Sequence, residues 1–274
     1  MSDDLGGFLR SRRARIRPDD VGLPAYGRRR VPGLRREEVA QLAGVSVDYY
    51  IRLEQGRGPS VSDAVLDAVA RVLRLDAVER EHLYDLARPG RARRFPAEGP
   101  DVRPGLRALL DSLGTPAFVL GRRMEVVAWN GAGDAVNGFA SWVPVYGTVV
   151  RHTFRAPGAR ELYPEWETVA REAVGYLRLD AGRHPGDAET EALVGELSAA
   201  DADFRRLWAA HDVREKAHGR KLLRHPVLGE LEFGYETLTL PGDPDLLLVA
   251  YTAARGSATE GKLAEVLPPA TVAT

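Results

Sequence analysis

The chain has 274 residues, 44% hydrophobic and 28% charged, which excludes a disordered or fibrous protein and leaves room for one large domain or two ordinary ones. It contains no cysteine, so disulfides, thiolate nucleophiles and the commonest structural zinc sites are excluded. The formal net charge of −1 hides an asymmetry: residues 1–104 carry 20 Arg against 16 acids, residues 105–274 carry 15 Arg and 3 Lys against 23. Between Arg10 and Arg36 ten arginines face only Asp19 and Asp20, a block suited to a polyanion or to a solvated helical face. Asp3 and Asp4 precede the first apolar residues, unlike a signal peptide, and no apolar run approaches the roughly 20 residues of a membrane helix. A soluble cytoplasmic protein is expected, with no membrane partner.

In chain order, residues 4–17 are predicted to form a helix that turns Leu5, Phe8, Leu9 and Ile16 inward, with Arg10, Arg12, Arg13 and Arg15 around the rest. Pro18, Gly22, Pro24, Gly27, Pro32 and Gly33 mark a loop. Helical spacing resumes at Leu34 and continues to Ala87, through Val65, Leu66, Val69, Val72 and Leu73 in 61–75 and through Leu83 and Leu86 in 76–87. Residues 88–104 hold four prolines and two glycines and read as a linker. Beyond it, 116–120 and 124–129 read as a hairpin around Gly121-Arg122-Arg123. Residues 165–179 form an amphipathic helix through Trp166, Val169, Ala170, Ala173, Val174 and Leu177, and a further helix carries Phe204, Leu207, Trp208 and His211. Residues 229–240 and 246–253 read as strands joined at Pro241-Gly242-Asp243-Pro244. The chain is therefore expected to be multidomain: an all-α domain in 1–88, a linker in 89–104, an α+β domain in 105–262 and a tail in 263–274.

Residues 34–58, LRREEVAQLAGVSVDYYIRLEQGRG, carry the most information. Helix 36–43 offers Val39, Ala40 and Leu42 to a core, and Ala40 is small where the next helix crosses. Gly44 suits a tight turn with positive φ, Val45 fills the space beneath it, and Ser46 is a good N-cap for a helix running to about Glu54. Tyr50 and Leu53 face inward, and Gly56 ends the helix. Two short helices around a glycine present the second one outward, shaped for a major groove about 12 Å wide. A plain helical hairpin would leave the flanking arginines unexplained.

This stretch resembles the XRE (lambda-repressor-like) helix-turn-helix family. The resemblance implies that Arg36, with Arg35 beside it, grips a phosphate at the start of helix two. It places Ser46, Val47, Asp48 and Tyr49 on the first turn of the recognition helix and Arg52 one turn on, set for a guanine edge or a phosphate. Gln55 and Arg57 become candidates for backbone contacts. Val47 and Asp48 depart from the glutamines or arginines more usual there; Asp48 either accepts from cytosine N4 or caps the helix. With its Arg-rich insertion and its Tyr49-Tyr50 pair, the sequence from Leu5 to Arg57 resembles the MmyB-like subgroup, which puts Arg28, Arg29 and Arg30 within reach of DNA phosphates. Pairing of some arginines with acids of a dimer partner is the alternative.

Residues 106–130, LRALLDSLGTPAFVLGRRMEVVAWN, have the shape of a PAS-domain entry, with Asn130 capping a helix and Trp129 facing the sheet. DFRRLWAAHDV (203–213), RHPVLGELEFGYETLTLPGD (224–243) and LLLVAYTA (246–253) resemble the ligand-binding domain that accompanies MmyB-like helix-turn-helix domains. The resemblance implies a PAS-like fold with an antiparallel sheet and a buried pocket for an apolar, fatty-acid-like molecule. Trp129, Asn130, Trp142, Tyr146, Phe154, Trp166, Leu177, Phe204 and Trp208 are the candidate ligand contacts, each equally readable as plain core, or for Asn130 as a cap. His211, His218 and His225 recur every seven residues, but Gly219 and Pro226 interrupt any helix that would align them, so no metal is expected. No GxSxG, Walker loop, HExxH or dinucleotide fingerprint is present, and no enzyme is expected. The expected protein is a homodimeric, nucleoid-associated DNA-binding regulator, most simply a repressor, with no cofactor beyond an apolar effector. A C-terminal domain that binds a protein, or an enzyme with an accessory helical domain, are the alternatives.

Overall fold

A computed structural model describes residues 2–23, 33–56, 61–88 and 102–266. The chain divides into two compact units: unit 1 comprises Met1–Arg94, Arg178–Glu196 and Arg205–Glu215, and unit 2 comprises Phe95–Leu177, Leu197–Phe204 and Lys216–Thr274. Most of the predicted linker, Arg28, Arg29, Arg30 and Arg57, and the tail beyond Val266 lie outside the described residues.

Unit 1 begins with α1 (Ser2–Arg15), α2 (Arg36–Ala43), α3 (Val47–Glu54), α4 (Asp63–Val72) and α5 (Ala77–Ala87). Local chemistry sets the starts: Ser46, Ser62 and Asp76 accept the backbone N–H three residues on, at 3.2, 3.4 and 2.8 Å. Apolar residues at helical spacing then close the core, with Phe8, Leu9, Leu34, Val39, Tyr50, Leu66, Val69 and Leu83 fully buried. Leu179 and Val213 complete it from far along the chain. They arrive through the end of α11 (Trp166–Arg183) and the segment after α13 (Ala202–Ala209); α12 (Ala188–Ala200) also starts in this unit. The fit is close: a Cβ at Gly182 would come within 2.4 Å of the His82 ring.

Arg12 and Arg13 of the N-terminal basic block are drawn inward, where the sequence suggested a solvent-facing row. Arg12 is only 2% exposed and pairs with Glu79 at 2.7 Å and with Asp212 at 3.6 Å, while its Nη2 donates to the His211 carbonyl at 2.8 Å. Arg15 also pairs with Asp212, and Arg178 reaches Asp4 at 3.7 Å. Burial lowers the Arg12 guanidinium from its usual value and brings Arg178 down to about 10. Such charges persist inside a fold only when acids and carbonyls surround them.

In unit 2, α6 (Pro104–Ser112) leads into β1 (Ala117–Gly121) and β2 (Val126–Trp129). Four short helices follow, α7 (Gly131–Asn137), α8 (Phe139–Tyr146), α9 (Val149–Arg155) and α10 (Ala159–Leu162), and then the start of α11. Strands β3 (His218–His225), β4 (Gly229–Leu240) and β5 (Asp243–Thr252) and helix α14 (Ala258–Val266) complete the unit. All pairings are antiparallel, in the order β2-β1-β5-β4-β3. This is the α+β, PAS-like domain with an antiparallel sheet that the sequence led us to expect.

Alternation along the strands divides the sheet's faces. Ala117, Val119, Leu246 and Leu248 pack with Leu106 and Leu110 of α6. Phe118 and Tyr251 turn the other way, their rings 5.4 Å apart, with Phe139 of α8 5.0 Å from Phe118. Strand β3 was missed, because HGRKLLRH has a polar outer face and ends before a proline, so its apolar period is faint. His218 and His225 mark its two ends and His211 belongs to unit 1, so the heptad spacing does not gather them.

Asn130 joins α6, β1 and α7 from a site 5% exposed. Its Oδ1 accepts from Ala117 N at 3.1 Å and Gly133 N at 2.8 Å, and its Nδ2 lies 2.9–3.2 Å from the carbonyls of Leu110, Leu113 and Thr115. Every polar atom of the side chain is thus spent on backbone, as a cap. Asn130→Ala strands these groups and is expected to cost about 2 kcal/mol, read as a lower unfolding midpoint in urea.

Candidate functional site

In unit 1 the helix-turn-helix is built around one close crossing. A Cβ at Gly6 of α1 would lie 2.2 Å from the Glu54 carbonyl of α3, so only glycine lets the two backbones approach this way. Between α2 and α3, Gly44 has φ 70° and donates to Ala40 and Gln41 carbonyls, while Val45 N donates to Ala40 O at 3.0 Å. Ala40 is fully buried in this turn.

Helix α3 then has two faces. Tyr50, Leu53 and Glu54 are buried, whereas Ser46, Asp48 and Arg52, with Gln55 just past the end, are exposed. Val47 is half-buried against the core and Tyr49 is half-buried. The N-cap hydrogen bond comes from Ser46, leaving the Asp48 carboxylate in the first turn of the helix, where the dipole favours it. Arg52 lies one turn on, its Nε donating to the Asp48 carbonyl at 3.3 Å.

Sequence reasoning passed over Glu54, which sits beneath this surface with 1% of its side chain exposed. Its Oε1 accepts from Arg36 Nε at 2.9 Å and from Arg13 Nη2 at 3.2 Å, and its Oε2 accepts from Arg13 Nε at 3.2 Å. Arg13 also donates to the Leu34 carbonyl at 2.8 Å, so one carboxylate ties α1, α2 and α3 together. The hydrogen bond to Glu54 raises the Arg36 guanidinium above its usual value, and burial raises the Tyr50 phenol. Arg36 keeps 44% of its side chain exposed, so one guanidinium meets Glu54 and the surface. Arg35 is exposed, its N–H donating to the Glu38 carboxylate at 2.7 Å.

Most of the aromatic candidates in unit 2 fall into two clusters. Trp142 stacks on His152 at 4.3 Å, with Tyr146 at 5.7 Å and Tyr163 at 6.4 Å from the same imidazole. His152 is 7% exposed, its Nδ1 has no hydrogen-bond partner among the described residues, and burial lowers it to about 4. In the second cluster the Phe154 ring lies 5.6 Å from Trp166 and 5.2 Å from Phe204. Leu177 is buried in the same unit, and the half-buried Trp129 lies 5.6 Å from Phe139. Trp208 is the exception: it belongs to unit 1, where Arg178 lies 3.8 Å over its ring. The sequence pointed to no role for the lysines, yet Lys216 and Lys221 stand over Tyr235 and Tyr163, each at 4.6 Å. Their rarity among 38 basic residues was the available signal.

Among the described residues no group of three His, Asp or Glu side chains is arranged to hold a metal, and no helix is long and apolar enough to cross a membrane. No curated protein matches the chain. Residues 4–83 match the family described as a helix-turn-helix domain. Residues 102–267, more than half the chain, match the MmyB-like transcription regulator ligand binding domain. With α3 presenting its polar face in the first segment and an antiparallel sheet in the second, this chain is a DNA-binding regulator with a ligand-binding domain, and it belongs to the MmyB-like transcription regulators.

Proposed function

We propose that the protein is a cytoplasmic repressor that binds a pseudo-palindromic operator as a homodimer and responds to an apolar, fatty-acid-like effector held in unit 2. The observation that carries the DNA reading is the exposed row of Ser46, Asp48, Arg52 and Gln55 on a helix whose other side is locked into the core. Tyr49 and Val47 flank that row, and Arg35 and Arg36 stand at the start of α2, set for phosphates. Arg28, Arg29, Arg30 and Arg57 are assigned to phosphate contact from sequence alone. A dimer would present two recognition helices about 34 Å apart. The aromatic clusters around His152 and Phe154 support the apolar effector.

An effector changes operator affinity only if it binds the free and DNA-bound forms differently. The linker between the two domains is one route for that difference, and most of it lies outside the described residues. Helix α11 supplies another, because it starts among the effector-domain residues and ends in unit 1. There Asp212, shortly after α13, pairs with Arg12 and Arg15 of α1. Full-length protein titrated onto its operator by fluorescence anisotropy is expected to lose about 10-fold in affinity on adding dodecanoate. Asp212→Ala is expected to keep operator affinity but lose that response. An operator affinity indifferent to a broad panel of lipids and aromatic compounds would sink the sensing reading. An Asp212→Ala protein that still responds in full would sink the route.

A further inference from the structure

Two ammonium groups of unit 2 meet no carboxylate directly among the described residues. The chain has only three lysines against 35 arginines, and Lys216 and Lys221 both lie in this unit. Lys221 stands on β3 opposite Phe233, on the sheet face that carries Leu223, Leu231 and Tyr235. Its Nζ lies 4.6 Å from the centre of the Tyr163 ring, and that of Lys216 lies 4.6 Å from the centre of the Tyr235 ring. Tyr235 fits over Gly219, where a Cβ would come within 2.8 Å of the phenol oxygen. Gly219 therefore leaves the space that sets this tyrosine under a cation.

An aromatic face attracts an ammonium without neutralising it. Neither lysine makes a hydrogen bond or ion pair with any described residue; the contacts they make are with the two tyrosine rings. The carboxylate whose charge acts on both is Glu172, exposed on α11 and not in ion-pair contact with either. Burial lowers Lys216 and draws Lys221 down to about 7, with the charge of Lys216 adding to the effect on Lys221. Both side chains nonetheless remain half-buried, so a ligand of modest size has surface to meet. Two like charges drawn out of bulk water are costly unless an anion joins them.

We propose that Lys216 and Lys221 form an anion receptor inside the effector site, so that the effector is an amphipathic molecule whose carboxylate lies between them. This rests on the reading of unit 2 as an effector-binding domain. The choice of lysine in an arginine-rich chain fits the task, because an ammonium is a compact point charge whose proton affinity follows its surroundings, whereas a guanidinium stays charged throughout. A carboxylate bound between them favours the charged form of both lysines, opposing the effect of burial.

Full-length protein labelled with lysine carrying 13C at Cε gives three lysine signals, one for each lysine. Lys262, whose Nζ donates to the Glu230 carbonyl at 2.7 Å, serves as the control. Dodecanoate is expected to move the Lys216 and Lys221 signals, leave Lys262 in place, and bind about 10-fold more tightly than 1-dodecanol. Lys216→Met and Lys221→Met each remove a charge at similar length, and each is expected to weaken dodecanoate by about 10-fold with little change for the alcohol. Equal affinity for acid and alcohol, with unmoved lysine signals, overturns the receptor and leaves the apolar-effector reading standing. If neither long-chain compound binds but hexanoate moves both signals, the receptor stands and the fatty-acid-like reading fails. Lysine signals indifferent to both acids overturn the receptor outright.

Discussion

Glu54→Ala is expected to cost about 3–5 kcal/mol of folding free energy, more than the loss expected for Asn130→Ala. The carboxylate is 1% exposed and meets Arg13 and Arg36 through nitrogen–oxygen distances of 2.8–3.2 Å. Its removal affects the two arginines unequally. Arg36, 44% exposed, can turn to water, whereas Arg13, with 11% of its side chain exposed, is left as an uncompensated charge in the interior. Glu54→Gln keeps the shape and some hydrogen bonding, so its loss is expected to be smaller. Because α1, α2 and α3 meet at this residue, the alanine protein is also expected to lose operator binding at temperatures where the parent is folded. Urea denaturation of the full chain, followed by circular dichroism, is the measurement. A loss under about 1 kcal/mol for alanine would mean that water reaches Arg13 and that the pair adds little.

The turn around Gly44 was legible because everything that makes it is local. A small residue, a glycine at φ 70°, an apolar filler and an N-cap serine lie within seven residues, and each acts on its immediate neighbours. The hairpin β1–β2 and the strands β4 and β5 were readable for the same reason, through alternation and turn residues. Pairings across long stretches of sequence were not. Arg12 and Asp212 are 200 positions apart, and nothing in the pattern of α1 separates an arginine that will be buried from one that will not. Glu54 looked like one more polar residue at a helix end, because the sequence does not display the burial that makes it a keystone. Trp208 was grouped with the other large apolar side chains beyond the linker as one domain, yet the boundary between the units falls between Phe204 and Arg205. Lys216 and Lys221 were overlooked because β3 itself was missed, so nothing in the sequence set them against the rings of Tyr235 and Tyr163.

Arg52→Glu is expected to lower operator affinity at least about 100-fold near 0.1 M salt while leaving the fold intact. Arg52 is exposed, and the contact that orients it is a single hydrogen bond to the Asp48 carbonyl at 3.3 Å. Reversing its charge leaves Tyr50, Leu53 and Glu54 in the core, so stability is expected to change by no more than about 0.5 kcal/mol. Arg36 is a poorer place for this test, because its guanidinium also balances Glu54 and a reversal there would weaken the fold and the interface together. The milder Arg52→Gln separates two ways of touching DNA. If Arg52 reads a guanine edge, affinity falls by about 1–3 kcal/mol and discrimination relaxes at one base pair. If it holds a phosphate, binding weakens evenly on operator and scrambled duplexes and the salt slope drops by about 1. Fluorescence anisotropy on both duplexes at several salt concentrations, with thermal melting of each protein, distinguishes these results. An Arg52→Glu protein that melts normally and still binds its operator at parental strength would remove α3 from the interface.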